Sequence, residues 1–383
     1  MDYAWSDHQE ELRRAIIDFA GKTLAQDVIE LDRSHGFSRE AWQLCADFGI
    51  QGLPFPQRYG GSGEDVLTTV MAMEALGLAC RDNGLLFGIS AQMWSVQMPI
   101  LRFGSDAQRE RYLPPLCSGE WIGAHGMSEP DSGSDAFSLR TRARRDGDAY
   151  ILTGTKTFVS NGPVADVYVI FATVDPSLAA LGITGFIVER ETAGLTVSRP
   201  IEKMGLRTSP MSEVHLEDCR VPSERRLGRE GRGAGVFNDS MEWERACILA
   251  SALGAMQRQL ETCVQYSRER HQFGRPIGDN QSISNRLANM AVRIEAGRHL
   301  LYKAAWLKQA GQASGTAAAM AKLYISEAWI QSSLDAVQIH GGYGFTTEYE
   351  VERELRDSIG STLYSGTSEI QRAILARSFG FGH

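Results

Sequence analysis

The chain has 383 residues, 43% of them hydrophobic and 22% charged, a balance that excludes a disordered chain and a length that calls for two or three domains. Lys and Arg number 39 against 47 Asp and Glu, so the net charge is −8, which argues against nucleic acid as the main partner. The longest apolar runs, 167–174 and 246–256 (interrupted by Ser251), fall well short of the ~18–20 residues of a membrane span, so no membrane is expected as a partner.

The opening residues, Met1 to His8, show no basic stretch leading into an apolar one, so no secretion signal or transit peptide is expected. From there to about residue 120 the chain reads as helices. Residues 9–24 space Leu12, Ile16, Ile17, Phe19 and Leu24 at helical intervals, and 37–48, 66–80 and 90–102 follow similar patterns. A Pro- and Gly-rich loop at 54–63 separates them. From about 122 to 230 the texture turns to short β-like runs at 149–153, 156–159, 167–173, 182–189 and 213–217. No helix-length period lies between them, so a doubly wound parallel sheet is not expected. A Gly-rich run at 228–235 reads as a linker. Beyond it, 239–270, 283–310, 315–340, 351–358 and 371–377 read as helices with short connections, the pattern of a bundle. The expected fold is therefore α+β and multidomain: a helical domain over 1–121, a middle antiparallel β-barrel or sandwich over 122–231, and a C-terminal four-helix bundle over 232–383.

The six cysteines include no CxxC pair, so they are expected to be buried free thiols of a cytoplasmic protein, and no metal site is expected. Five segments carry more specific signals, although each alone also fits an ordinary turn, strand end or cap. Met127-Ser-Glu-Pro-Asp-Ser-Gly-Ser-Asp135 makes a tight loop rich in hydroxyls and free backbone N–H groups. In Lys156-Thr-Phe-Val-Ser-Asn-Gly162 a strand would present Phe158 and Ser160 on one face, able to pack a flat ring and bond its edge. Arg268-Glu-Arg-His-Gln-Phe-Gly-Arg-Pro-Ile-Gly278 and the following Gln281 place two arginines and Phe273 at a helix end. There Arg270 could bind a pyrophosphate. Gln338-Ile-His-Gly-Gly-Tyr-Gly-Phe345 offers paired glycines, with His340 read as structural. In Leu363-Tyr-Ser-Gly-Thr-Ser-Glu-Ile-Gln-Arg372, Gly366 breaks the chain and Thr367 or Ser368 can cap the helix that follows.

In this order, over nearly the whole chain, the five segments resemble the acyl-CoA dehydrogenase flavoprotein family. The resemblance implies non-covalent FAD, a homotetramer, and removal of two hydrogens from Cα and Cβ of an acyl thioester. By position, Met127 and Ser128 resemble the loop at the flavin ring, and Ser134 the residue at the FAD phosphate. Phe158 resembles the aromatic residue beside the flavin, and Ser160 the hydroxyl near N5. Arg270, Gln272, Phe273 and Gln281 resemble the segment that reaches the FAD of an adjacent subunit. Gln338, Gly342, Thr367 and Glu369 resemble the adenosine-pyrophosphate cradle.

One position departs from the commonest pattern. Where many members carry the catalytic Glu, immediately before Gly-Thr, this chain has Ser365, and a hydroxyl is too weak a base to replace it. In a subset of the family the Glu comes from the helix after the β domain, just before an Arg, and Glu244–Arg245 matches that arrangement. Glu242 competes with it. The two point about 200° apart on a helix, so only one can face the flavin. Glu244 is expected to share its face with Cys247, Ile248, Ser251 and Ala255, a small apolar wall that raises a carboxyl pKa. Glu242 is expected to cap the helix near Asp239 and Ser240. The backbone N–H of Ser365 would then polarise the thioester carbonyl, with Arg245 beside it. The substrate is expected on a carrier protein or on CoA. The stretch 241–245 and residues 82–96 look most like enzymes acting on carrier-bound groups, prolyl carrier-protein dehydrogenases among them. An electron-transfer flavoprotein or oxygen would take the electrons. A short- or branched-chain acyl-CoA dehydrogenase and a flavin monooxygenase on the same fold are the competing expectations.

Overall fold

In the computed structural model, residues 4–24 and 27–381 are described; Met1–Tyr3, where the N-terminal signal reading begins, lie outside them. The first region is helical: α1 (Asp7–Thr23), α2 (Val28–Ser34), α3 (Arg39–Asp47), α4 (Val66–Ala79), α5 (Asn83–Gln92), α6 (Met98–Phe103) and α7 (Asp106–Cys117). Local chemistry starts several of them. Ser6 and Gln9 close a capping box on α1, and Ser105 and Gln108 close another on α7. The helix expected over 90–102 is not continuous. A single π-helical turn, Met93–Gln97, joins α5 to α6, the kind of wide turn that often marks a functional site.

The middle region holds β1 (Gly123–Gly126), β2 (Arg142–Asp146), β3 (Ala149–Ser160), β4 (Val167–Thr173), β5 (Ile183–Glu189), β6 (Leu195–Val197), β7 (Met211–Pro222) and β8 (Arg226–Leu227). They form one eight-stranded sheet in the order β6-β7-β3-β2-β4-β5-β8, with β1 beside β4. The expected wholly antiparallel sheet is corrected here. β1 runs parallel to β4, and β2 meets β4 in parallel at Arg142 and Thr173, because the chain reverses at the β2–β3 hairpin and again between β3 and β4. The strands expected at 149–153 and 156–159 are one strand, β3, bulged against β7 at two places. β4 is buried on both faces: Val167, Val169 and Phe171 pack toward α7, while Tyr168, Ile170 and Ala172 pack inside the sheet. The sheet curls enough for Tyr150 of β3 and Phe186 of β5 to meet edge to face at 5.0 Å.

The last region comprises α8 (Gly233–Cys247), α9 (Ala250–Glu269), a hairpin of β9 (His271–Gln272) and β10 (Arg275–Pro276), α10 (Gln281–Gln309), α11 (Gly315–His340), α12 (Val351–Gly360) and α13 (Ser368–Ser378). Helices α8 to α11 pack together, and α12 and α13 lie on α11. Two expectations are revised. The Gly-rich run is a linker only as far as Arg232. Gly233 opens α8 because its bare Cα presses on the backbone of Thr184 in β5, where a Cβ would collide. The helix expected over 239–270 breaks at Ile248–Leu249, so Ser251 and Ala255 belong to α9 rather than to the helix of Glu244. α9 crosses α4 backbone to backbone at Gly77 and Gly254, and the N- and C-terminal helices share one hydrophobic core.

Candidate active site

α8 carries Glu244 inward, where it is 7% exposed. Both carboxylate oxygens are held by hydroxyls. Ser365 Oγ donates to Oε1 at 2.5 Å, and Ser95 Oγ donates to Oε2 from the π turn. Burial raises the Glu244 pKa, opposed by the two hydroxyls and then by the charges of Arg245 and Lys322. A carboxylate in such a setting is a stronger base than one in water, yet its hydrogen bonds keep it available in ionised form.

Ser365 itself sits in a left-handed turn, φ 57°, between α12 and α13. Its carbonyl accepts from Arg245 Nε at 3.1 Å and from Gln371 Nε2 at 3.2 Å. The next carbonyl, Gly366, accepts from Gln371 Nε2 at 2.8 Å and from Lys322 Nζ at 2.7 Å. Two successive carbonyls are thus clamped, which fixes the peptide planes of the turn, and the Ser365 N–H has no hydrogen-bond partner among the described residues. Lys322 is fully buried, and burial and then the Arg245 charge depress its pKa to about 8.

Glu242 turns the other way, as the 200° argument requires, but it caps nothing. Asp239 and Ser240 lie within α8, and Glu242 instead accepts from Ser314 Oγ at 2.5 Å and Lys308 Nζ at 2.9 Å. Burial opposes its ionisation, but these donors win and hold its pKa below the usual value.

A second cluster forms around the loop after β1. Met127 is buried and Ser128 half-buried; the Ser128 carbonyl accepts from Thr157 N at 2.9 Å. Lys156 Nζ, buried, donates to the Met127 carbonyl at 3.0 Å and to Glu129 Oε1 at 2.7 Å. This staples the loop to β3 beside Phe158. The bulge between Lys156 and Val159 puts Phe158 at φ 55° with its ring 64% exposed; Val159 between them is buried, and Ser160 is half-buried and pairs with Met211. Ser134 lies exposed farther along the loop.

The third cluster joins two segments distant in sequence. Arg270 lies 5.6 Å over the Tyr343 ring, and Tyr266 stacks on His340 at 4.1 Å. His340 Nδ1 is bonded to the Ala336 carbonyl, a structural role. Gln272, Phe273, Gln281, Gln338 and Gly342 are exposed around it, Phe273 to 97%. Thr367 caps α13 by accepting from Ile370 N at 3.3 Å, and Glu369 lies exposed in its first turn. Sequence reasoning missed Ser95, Lys322 and Gln371. Ser95 and Lys322 read as ordinary helix residues, and Gln371 had been noted only as the start of a helix.

The sequence matches the acyl-CoA dehydrogenase family in three consecutive blocks: its N-terminal domain over residues 6–120, its middle domain over 124–219 and its C-terminal domain over 231–380. The chain belongs to the acyl-CoA dehydrogenase family. It is accordingly an oxidoreductase with that family's three-part fold. An L-prolyl-[peptidyl-carrier protein] dehydrogenase of Pseudomonas fluorescens is 44% identical over 378 residues, covering 98% of this chain and 99% of that protein. The crystal structure of the prolyl acyl carrier protein oxidase AnaB is 50% identical with a TM-score of 0.98, covering 99% of this chain and all of that one. A structure of PigA with FAD and proline is 38% identical with a TM-score of 0.97, covering 99% of both chains.

Proposed function

We propose that this dehydrogenase oxidises an L-prolyl group carried as a thioester on a peptidyl carrier protein, with FAD as its cofactor and Glu244 as its base. The observation that carries the reading is the buried carboxylate of Glu244, held by Ser365 at the position where the commoner family pattern has its own Glu. The relatives of highest identity named above act on prolyl groups, and one of them is seen with FAD and proline.

The residues present fit FAD. Phe158 is a large ring turned out of its strand beside a stapled loop, Thr367 opens a helix N-terminus, and Arg270 and Phe273 stand exposed on a hairpin. We assign Met127, Ser128, Phe158 and Ser160 to the flavin and its chain. Ser134, Gln338, Gly342, Thr367 and Glu369 are assigned to its phosphate and adenosine ends, and Arg270, Gln272, Phe273 and Gln281 to the FAD of an adjacent subunit. When bound, FAD supplies the hydride acceptor.

The protein's share of the chemistry follows from the geometry. The Ser365 N–H is free to donate to the thioester carbonyl, where negative charge grows as the α proton leaves. Arg245, Gln371 and Lys322 clamp the two carbonyls that follow that N–H and so anchor the turn that carries it. Glu244 takes the α proton at its carboxylate, and its burial excludes competing water. Full conversion of the prolyl ring to a pyrrole removes four hydrogens, so the cycle runs twice. The same reading includes a homotetramer, a cytoplasmic location, domain divisions near residues 122 and 232, and an electron-transfer flavoprotein or oxygen as acceptor. The tetramer is supported by large apolar side chains left bare on one chain, Phe273 and the 88% exposed Phe345 foremost.

The test is anaerobic loss of the visible flavin band. Prolyl and butyryl groups are offered on a carrier protein and on CoA. Bleaching by the carrier-bound prolyl group alone is the expected result. Bleaching by butyryl-CoA and not by prolyl would overturn the assignment in favour of acyl-CoA oxidation.

A further inference from the structure

The substrate differs from an ordinary acyl thioester in one respect that matters at the base: a nitrogen on the α carbon. Something in the pocket must meet that N–H, because a donor buried without a partner is costly. The side chains around Glu244 narrow the choice. Arg245 and Lys322 are donors without lone pairs, and both are engaged on the Ser365–Gly366 turn. Tyr364, beside Lys322, is half-buried, and desolvation pushes the pKa of its hydroxyl up. Ser365 Oγ lies on the Oε1 side of Glu244 with its own acceptor sites unused, but it stands beside the N–H assigned above to the carbonyl.

Ser95 lies on the Oε2 side. A hydroxyl has one donor and two acceptor sites. The Ser95 donor is committed to Glu244, and no donor within the described residues bonds to its oxygen, which is nevertheless buried. The carboxylate therefore has a carbonyl donor beside one oxygen and an unused acceptor beside the other. With the carbonyl at Ser365 and the α proton at Glu244, the Ser95 hydroxyl is the acceptor left on the far side of the carboxylate for a further substituent of the α carbon. The π turn matters here: widening of the helix at Met93–Gln97 is what carries the backbone at Ser95, and a continuous α-helix would rotate the residues after it.

We propose that Ser95 is the residue that reads the α-nitrogen, accepting its N–H while donating to Glu244, and so selects α-amino acyl thioesters over plain acyl ones. The proposal rests on the reading given under Proposed function. It requires the neutral amine. The groups facing the site from α8, α11 and the turn after α12 are Arg245, Lys322 and Tyr364, and the two cations disfavour a third positive charge while favouring the ionised base.

The experiment compares L-prolyl with cyclopentanecarbonyl thioesters on the same carrier protein. The two rings are nearly the same shape and differ in the α N–H. Flavin reduction is followed in the wild-type holoenzyme, Ser95→Ala and Ser95→Thr. Loss of the Ser95 donor affects Glu244 with both substrates, so the readout is the ratio of their kcat/KM values. The expected result is a prolyl preference that falls about tenfold or more in Ser95→Ala and is largely kept in Ser95→Thr, which retains the hydroxyl. An unchanged ratio in Ser95→Ala would overturn the role of Ser95 alone. Failure of the wild type to reduce with the prolyl thioester would instead overturn the function reading and this inference together. Retention of FAD by each variant shows that it has folded.

Discussion

The Glu244 carboxylate sits between two opposing influences, burial that raises its pKa and two hydroxyls that lower it. Its acid-side limb in a pH profile of kcat/KM should therefore lie above the usual carboxylate range. Ser365→Ala removes a hydrogen bond that favours the ionised form, so the limb should move to higher pH; an unmoved limb would separate Ser365 from the base. Lys156 poses a stability question at the same scale. It is fully buried and paired with Glu129, and burial, outweighing that pairing, lowers its pKa to about 8. Lys156→Met leaves Glu129 uncompensated and frees the Met127 carbonyl. It should destabilise the protein by about 3 kcal/mol or more, measurable by urea unfolding. Sequence reading reached Glu244 through its neighbour Arg245 and through the missing carboxylate at Ser365. It did not reach Ser95 or Lys322, because nothing in a helical pattern marks which polar residue of a buried face points at a site that side chains from Ser95 to Gln371 must first assemble.

Helices and strands were legible where one periodicity held. The strand at 167–173 and the helices at 66–80 and 315–340 match β4, α4 and α11 closely because each packs one regular apolar face or is buried throughout. Boundaries failed where contacts beyond the element decide them: Gly233 against Thr184, the β3 bulge that turns Phe158 outward, and the π turn at Ser95. The α4–α9 crossing is one such contact. Gly77→Ala and Gly254→Ala each force a methyl into opposing backbone, and each should cost about 1–3 kcal/mol in denaturant unfolding. A buried ionic cluster fixes α12, which leads into the Ser365 turn. Asp357 accepts from Leu206 N at 2.6 Å and from Asn83 Nδ2 at 3.0 Å, and burial, against the Arg353 charge, raises its pKa from 3.8 to about 6. Between those values the folded protein holds a proton that the unfolded chain has lost. This group therefore favours folding at low pH, and its contribution falls as pH rises toward 6. Asp357→Asn should flatten that part of the stability profile relative to wild type; parallel profiles would contradict the shift.

At the scale of the whole molecule, the candidate site is assembled from separated regions of the chain. The π turn of the first region supplies Ser95, and the last region supplies Glu244, Arg245, Lys322 and Ser365; in the proposed function these form the catalytic centre and the middle sheet supplies the flavin loop. The proposed function also has a further copy of the chain complete the cofactor site at the exposed aromatic hairpin. Phe273→Asp should lower both the sedimenting mass and the FAD retained through gel filtration; full retention of both would remove the hairpin from the interface. The central claim is that Glu244 is the base for a carrier-bound prolyl thioester. Its most direct test is single-turnover flavin reduction by that substrate in Glu244→Gln, which keeps the shape of the side chain and removes its basicity. The account predicts retained FAD with a reduction rate at least about a hundredfold below wild type; reduction at the wild-type rate would contradict it.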